Sequence, residues 1–184
     1  MELPILEQGG TQPRPILVKD LLRPPEVDVA RILGPAALLF LPAAPIVERA
    51  FFTMSALRTV SSPILRLVER TLALLRAFPE MQVSFLPKAQ SGRLVIGRSH
   101  EASLTIGDAS MSRSHAVLRW SGERYWLRDQ GSLNGTYINT QPFAGECELQ
   151  DGDTIALGEA QLVFVSSPTL ALQLQSLRVL THDS

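Results

Sequence analysis

The sequence predicts a mainly β protein, in which a sandwich of short strands is preceded by a mainly helical (α/β) region and followed by a short helix. Two observations support this fold class. After about residue 80, apolar residues recur at every second position, which is the period of a half-buried strand. Before it, the chain is rich in Ala, Leu and Pro, and its apolar residues recur mostly at helical spacing.

The first eighty residues predict two helices and one strand. Ser62 as N-cap and Pro63 at the first helical position begin an amphipathic helix that ends before Pro79. An earlier helix is predicted from Pro45, and residues 1–15 are expected to form a loose terminus. The run "AALLFLP", residues 36–42, is short and ends at a proline, which favours a buried strand.

Few residues, 79–81, connect the predicted helix to the first strand after residue 80, and no Gly/Ser-rich linker separates the two halves. A mobile two-domain protein normally has such a linker. We therefore expect residues 1–80 to be an accessory region packed on a domain over 81–166, with a helix and tail over 167–184. The alternative is that the apolar helix faces form a docking surface for a partner.

Nine strand candidates follow residue 80, separated by turns that contain Gly, Asp or Ser. They are "QVSFL", "RLVIG", "SLTIG", "HAVLRW", "RYWLRD", "GTYIN", "ECEL", "TIALG" and "QLVFVS". Many short strands joined by tight turns favour a sandwich or barrel over alternating βα units. Pro168 then begins a final helical stretch, "PTLALQLQSLRVL".

The composition is that of a globular protein. The 184 residues are 45% hydrophobic and 19% charged, with a formal net charge of −1, which argues against nucleic-acid binding through net positive charge. Cys147 is the one cysteine, which excludes an internal disulfide and a cysteine-based zinc cluster.

Two stretches of the sequence bear on secretion and on membrane insertion. Residues 1–10 lack a basic start followed by an apolar run, so no secretory signal is expected. The longest uncharged run, residues 32–47, is short for a membrane span and is interrupted by Gly and Pro. We expect a cytoplasmic protein without membrane insertion.

Three loops of the β-rich half carry polar side chains that could bind the same kind of ligand. They contain Gly97-Arg98, then Ser112-Arg113-Ser114-His115, then Ser132, Asn134, Gly135 and Thr136. Because the loops of a sandwich cluster at its two ends, these three can converge on one site. Two guanidinium groups, several hydroxyls and a side-chain amide, with few carboxylates, suit a multiply charged oxyanion such as phosphate.

In this order and on short strands, Gly97-Arg98, Ser112-x-x-His115 and Asn134-Gly135-Thr136 resemble the forkhead-associated (FHA) domain, in its bacterial type. The phrases "LVIGRSHEASLTIGDASMSRSHA", "RYWLRDQGSLNGTYIN" and "LQDGDTIALG" extend the resemblance over roughly residues 82–166. It implies a sandwich of about eleven strands that binds phosphothreonine peptides.

The resemblance also implies a role for each loop residue. Arg98 would be the principal phosphate ligand, Ser112 would donate its hydroxyl to a phosphate oxygen, and Arg113 would add a second cationic contact. Asn134 would hold the peptide backbone. The loops would be shaped and braced by Gly97, His115, Gly135 and Thr136, and the rim would be formed by Ser132 and Leu133. A phosphate of about −1.5 to −2 charges with three acceptor oxygens suits these ligands.

One residue departs from the family pattern. Leu133 stands before Asn134, where the family often carries Thr or Ser. The change removes a hydroxyl from the rim, so it predicts a slightly weaker or more apolar site.

No pattern in the sequence favours catalysis, a metal or another cofactor. The motifs of serine hydrolases, phosphate-binding loops, dinucleotide folds and zinc proteases are absent. His100, Glu101, Asp108 and His115 could be imagined as metal ligands, but intervening strands and turns separate them.

The function predicted from these residues and the resemblance is that of a non-enzymatic adaptor in Ser/Thr kinase signalling. It would bind a phosphothreonine-containing protein, either a Ser/Thr kinase or its substrate. The alternative is a degenerate scaffold of the same fold that makes phosphate-independent contacts with proteins.

Overall fold

A computed structural model describes residues 15–22, 34–42, 71–87 and 91–182. Two β-sheets pack face to face, and helices cover the outer face of the larger sheet. The predicted mainly β fold, with its sandwich and C-terminal helix, is confirmed.

The described residues contain twelve strands and three helices. The strands are β1 (Ile16–Leu17), β2 (Ala36–Phe40), β3 (Gln82–Phe85), β4 (Ser91–Gly97), β5 (Leu104–Thr105), β6 (Ala116–Ser121), β7 (Arg124–Asp129), β8 (Thr136–Ile138), β9 (Gln141–Phe143), β10 (Glu146–Leu149), β11 (Thr154–Leu157) and β12 (Ala160–Ser166). The helices are α1 (Val18–Leu21), α2, of which 71–77 is described, and α3 (Ser167–His182).

The smaller sheet has the strand order β10-β7-β6-β4-β5, with only the short β4–β5 pair parallel. Its strands alternate as expected for one buried and one solvated face. In β6, for example, Ala116, Leu118 and Trp120 are buried and face the larger sheet, whereas Ser121 is exposed. The ends of β4 and β7 and the start of β6 carry the three polar loops.

The larger sheet has the order β1-β3-β2-β12-β11-β8-β9. Strand β2 lies inside it, because Leu39 pairs with Val163 of β12 on one side and with Val83 of β3 on the other. The sequence predicted a buried strand over 36–42, and the strand is confirmed. Its position between two strands that follow residue 80 in the chain was not predicted.

Two apolar cores hold the layers together. The first fills the space between the sheets and includes Leu38, Ile96, Leu118 and Phe164. The second lies between the larger sheet and the helices and includes Leu74 of α2. Alternate residues of β2 therefore face opposite cores, which explains why this strand is apolar throughout.

Most of the predicted elements are confirmed. All nine strand candidates are strands, although "SLTIG" shortens to Leu104–Thr105. Helix α2 ends before Pro79 as predicted, and α3 matches the predicted C-terminal helix. The sequence missed β1 and β9; β9 contains Pro142 and lies at the sheet edge, where proline is tolerated.

Some predictions fall outside the described residues: the helix predicted from Pro45, the first turns of the helix predicted from Pro63, and residues 1–14. None of the helices in the described ranges has the length and apolar character needed to cross a bilayer.

Candidate functional site

The first polar loop follows β4 and is joined to the second loop by backbone hydrogen bonds. The N–H of Arg98 donates to the carbonyl of Ser112 at 3.0 Å, and the N–H of Ser99 donates to the carbonyl of Arg113 at 3.1 Å. Gly97 permits this approach, because a methyl group in its place would overlap the Arg113 carbonyl oxygen and lie 2.8 Å from the carbonyl carbon. The loop residues Arg98, Ser112 and Arg113 are therefore brought together.

The two loop arginines are exposed. Arg98 is anchored by one hydrogen bond, since its Nε donates to the carbonyl of buried Met111 at 3.1 Å. The terminal nitrogens of its guanidinium keep their donors for other partners. Within the described parts of the chain, neither Arg98 nor Arg113 forms an ion pair with a carboxylate.

Arginines on the outer face of the smaller sheet are arranged differently. Arg119 is paired with Glu146 by two hydrogen bonds of 2.6 and 2.7 Å, and Arg124 is paired with Glu148 by two of 2.9 and 2.7 Å. The side-chain hydrogen bond from Arg119 holds the pKa of Glu146 below its usual value, and Arg124 has the same effect on the pKa of Glu148. These surface cations are paired with carboxylates of the same chain, whereas the loop arginines have no carboxylate partner among the described residues.

Ser112 connects the second loop to the third. Its Oγ accepts a hydrogen bond of 3.0 Å from the backbone N–H of Leu133. A hydroxyl that accepts in this way still has its own proton to donate. Ser112 therefore offers a donor at a fixed position beside the two loop arginines.

His115 is fully buried and forms hydrogen bonds to both the second and the third loop. Its Nδ1 accepts from the backbone N–H of Ser112 at 3.1 Å, and its Nε2 lies 3.1 Å from the carbonyl oxygen of Gly135. Because an N–H can only donate, Nδ1 carries no proton in this arrangement, and Nε2 is the nitrogen that donates to Gly135. The imidazole thus has both nitrogens engaged within the protein.

Asp129, at the end of β7, organises the third loop and was not identified from the sequence. Its carboxylate accepts hydrogen bonds from the backbone N–H groups of Gly131 and Ser132 and from the hydroxyls of Ser132 (2.6 Å) and Thr136 (2.5 Å). Burial alone would raise the pKa of this carboxyl, but the hydrogen bonds outweigh burial and the pKa lies below its usual value.

The Asp129 contacts define the roles of two predicted residues. Thr136 is buried and its hydroxyl donates to Asp129. Ser132, which was expected at the rim, donates its hydroxyl to the same carboxylate, so the proton of that hydroxyl is used inside the loop. The Asp-x-Gly-Ser pattern that begins at Asp129 is a sequence signal for this turn, because Asp side chains commonly accept from backbone N–H groups two residues later.

Asn134 lies at the exposed side of the third loop. Its Nδ2 donates to the carbonyl of Ser110 at 2.7 Å, which leaves its oxygen and its second N–H for other partners. Ser110 is a second residue that sequence reasoning missed. Its hydroxyl donates to Asp108 at 2.6 Å and accepts from the N–H of Glu159 at 2.7 Å.

The structure therefore gathers three loops at one end of the sandwich. Two exposed guanidiniums, a hydroxyl donor and a side-chain amide lie on a frame that internal hydrogen bonds hold in place. The described residues contain no group of three or more His, Cys, Asp or Glu side chains that could hold a metal ion. The arrangement suits a ligand that carries an anionic group with several acceptor oxygens.

Comparison with known proteins identifies a family for the part of the chain that carries these loops. Residues 94–158 match the family model described as the FHA domain. The chain is 40% identical over 70 residues to the oxoglutarate dehydrogenase inhibitor of Corynebacterium jeikeium, which is 38% of this chain and 48% of that protein. It is 38% identical over 72 residues to the glycogen accumulation regulator GarA of Mycolicibacterium smegmatis, which is 39% of this chain and 45% of that protein.

A chain from a structural and functional analysis of phosphothreonine-dependent FHA domain interactions shares 38% identity, with a TM-score of 0.39. The match covers 40% of this chain and 76% of that one. The FhaA FHA domain, solved in complex with the intracellular domain of Rv3910, shares 36% identity, with a TM-score of 0.40 over 42% of this chain and 85% of that one. The chain spans about half the length of the two curated relatives, or less.

Proposed function

Since this chain belongs to the FHA domain proteins of the bacterial type, we propose that its three-loop site binds a phosphothreonine-containing segment of another protein. The observation that carries the proposal is the pair of exposed guanidiniums, Arg98 and Arg113, without a carboxylate partner in the described residues and beside the Ser112 hydroxyl. Two cations without a carboxylate partner, on adjoining loops beside a hydroxyl donor, favour an anion.

The phosphate would be bound by three groups. The Arg98 fork would donate to two phosphate oxygens, the Ser112 hydroxyl to one of them, and Arg113 would add positive charge. Each charge-assisted hydrogen bond contributes about 1.5–3 kcal/mol. Less the cost of ordering a flexible peptide, this corresponds to dissociation constants around micromolar. Reversible signalling tolerates such an affinity.

Asn134 would hold the peptide backbone beside the phosphothreonine. Its amide carries both a donor and an acceptor, which match the two backbone groups of a peptide unit. The hydrogen bond to Ser110 already fixes the rotation of this amide. A binding group that is fixed in advance loses less conformational entropy when the ligand arrives.

The resulting function is that of a non-enzymatic adaptor in Ser/Thr kinase signalling. Two of the similar proteins are described as an inhibitor and a regulator, which fits a protein that acts by binding. The partner would be a Ser/Thr kinase or one of its substrates, phosphorylated on threonine, and the encounter would take place in the cytoplasm.

Within this adaptor, we assign phosphopeptide binding to residues 81–166 and a supporting role to residues 1–80, packed on the sandwich. We also assign residues 167–184 to a closing helix and tail, of which the helix Ser167–His182 is described. The pairing of β2 with β3 and β12, and the core that α2 and α3 share, support the packing of the N-terminal region on the sandwich.

A phosphothreonine peptide library tests the proposal. The full chain is immobilised and exposed to the library, and a second portion is exposed to the same library after phosphatase treatment. Binding is expected only from the untreated library. Equal capture from both would overturn phosphothreonine recognition and favour the phosphate-independent scaffold.

A further inference from the structure

Leu133 is an unexplained apolar side chain at the tip of the third loop. It is 89% exposed, and it is one of two large hydrophobic residues that stand out as exposed in the described parts of the chain. The other is Leu172 of α3, at 64%. Leu133 therefore contributes little packing to the fold, and a polar side chain would occupy this position at no cost in buried apolar area.

Hydrogen bonds hold the loop backbone before, at and after Leu133. Its own N–H donates to Ser112 Oγ, and Asp129 accepts from two preceding N–H groups of the loop. On the other side, the Gly135 carbonyl accepts from the N–H of Gly158 and from His115. The loop therefore cannot turn the leucine inward without losing these bonds, and the side chain is presented to solvent by a rigid frame.

The position of Leu133 relates it to the proposed peptide site. It is the residue between Ser132, whose hydroxyl is used inside the loop, and Asn134, which would hold the peptide backbone. Its N–H is bonded to Ser112, which would contact the phosphate. Leu133 thus lies between the two residues that would hold the peptide, so a peptide bound by both would run beside it.

We propose that Leu133 is a specificity-determining residue, which selects phosphothreonine peptides that carry an apolar side chain at a position flanking the phosphothreonine. This inference rests on the proposed function, since it names the class of peptide that the same site would prefer. Contact between Leu133 and an apolar residue removes both from water, whereas a charged or small polar residue at that position gains nothing from the leucine.

The expected preference is moderate. Partial burial of one leucine against one apolar side chain corresponds to about a three- to thirtyfold gain in affinity. Most of the binding free energy would still come from the phosphate. Leu133 would therefore discriminate between phosphothreonine peptides and would not replace the need for the phosphate.

The test uses the full chain and a phosphothreonine library in which each flanking position is randomised in turn. Wild type is expected to enrich Leu, Ile, Val, Met or Phe at one flanking position. Leu133→Ala, which removes the apolar side chain without adding a hydroxyl at the rim, should flatten that position by about three- to thirtyfold while it still binds phosphorylated peptides. Leu172→Ala is the control, because it removes the other exposed leucine, 64% exposed, from a helix outside the three loops, and its preferences should equal those of wild type.

The outcomes separate the two proposals. If wild type binds phosphorylated peptides without apolar enrichment at any flanking position, or if Leu133→Ala keeps the enrichment, the role of Leu133 is overturned and the phosphothreonine function stands. If wild type binds no phosphorylated peptide better than its unphosphorylated counterpart, the proposed function itself fails.

Discussion

His115 Nε2 lies 3.1 Å from the carbonyl oxygen of Gly135, twenty residues later in the chain. The other ring nitrogen accepts from the backbone N–H of Ser112, so one buried imidazole joins the loop that carries Ser112 to the loop that carries Asn134. The histidine that could be imagined as a metal ligand from the sequence therefore has both ring nitrogens engaged in hydrogen bonds that join the two loops.

We predict that His115→Ala lowers the free energy of unfolding by about 1–3 kcal/mol, because it leaves the Ser112 N–H and the Gly135 carbonyl without their partner. In a protein of this length each kcal/mol corresponds to about 2–4 °C in Tm. Thermal and denaturant unfolding measure the loss. Peptide affinity should fall as well, since both loops lose their support.

His115→Asn provides the comparison, because asparagine places a polar atom near Nδ1 but does not reach Gly135. Its stability should lie between those of wild type and His115→Ala. A His115→Ala protein that unfolds like wild type would show that the imidazole does not brace the loops.

Gly97→Ala should separate the first loop from the second. The added methyl group meets the Arg113 carbonyl, a backbone atom that cannot move without breaking the bond from the Ser99 N–H. Overpacking of this kind costs about 1–3 kcal/mol, and it would displace Arg98 from Ser112. Denaturant unfolding and peptide titration should both detect the change.

Gly107→Ala is the matched control for this substitution, because a methyl group there has no atom within 4 Å and its backbone is not in the left-handed region. It should leave stability and binding almost unchanged. If Gly97→Ala behaves in the same way as Gly107→Ala, the close approach of the two loops is not what positions Arg98.

Asp129 should make the protein less stable in acid. Its pKa is lowered in the folded state, and an unfolded Asp titrates near about 3.9. The carboxylate therefore contributes stability above about pH 4, and the contribution is lost as the pH falls through the lower, folded-state pKa. Denaturant unfolding of wild type between pH 6 and pH 3 measures this slope.

Asp129→Asn isolates the contribution of this one group. Glu146 and Glu148 also have lowered pKa values, but they are present in both proteins, so their effect cancels in the difference. The stability difference between wild type and Asp129→Asn should be largest near neutral pH, at about 1–3 kcal/mol, and should shrink in acid. A difference that is constant over this range would contradict the role given to the carboxylate.

The N-terminal region should be required for the sandwich. A chain that starts at Met81 lacks β2, so β3 and β12 would each lose a neighbour and expose unpaired backbone groups. We expect this truncation to be insoluble or much less stable, as judged by expression and thermal unfolding. In the full chain, Leu39→Ala should cost about 2–5 kcal/mol, since Leu39 is fully buried.

If the truncated chain folds with an unchanged Tm and binds its peptide as the full chain does, residues 1–80 are a separate module. The docking-surface alternative for their helices would then be favoured.

The sequence allowed the strands of the sandwich to be predicted because their period is local. Alternation of apolar and polar residues in "HAVLRW" or "RYWLRD" depends only on which face of the strand is buried. The place of β2 was not predictable in this way. A strand buried on both faces has no alternation, and its neighbours β3 and β12 are set by long-range pairing.

Some residues of the three loops could also be predicted from the sequence, and others could not. The order of Arg98, Ser112 and Asn134 and their resemblance to a family predict that they share one site, and the structure brings their loops together; their binding roles stay predictions. The carboxylate of Asp129 was not predicted: its Asp-x-Gly-Ser pattern signals a turn, but only the folded chain shows that Thr136, on β8, also donates to it. Ser110 accepts from a residue 49 positions away, and His115 Nε2 contacts one 20 positions away, so only the folded chain reveals these two contacts.

The most direct test of the central claim is a calorimetric titration with one peptide selected from the library, in phosphorylated and unphosphorylated forms. Wild type should bind the phosphorylated form with a Kd around micromolar and the unphosphorylated form at least about tenfold more weakly. Arg98→Ala should remain folded and lose the difference, whereas Arg93→Ala, an exposed arginine on β4, should retain it. A folded Arg98→Ala protein that binds the phosphorylated peptide with wild-type affinity would contradict the phosphate site.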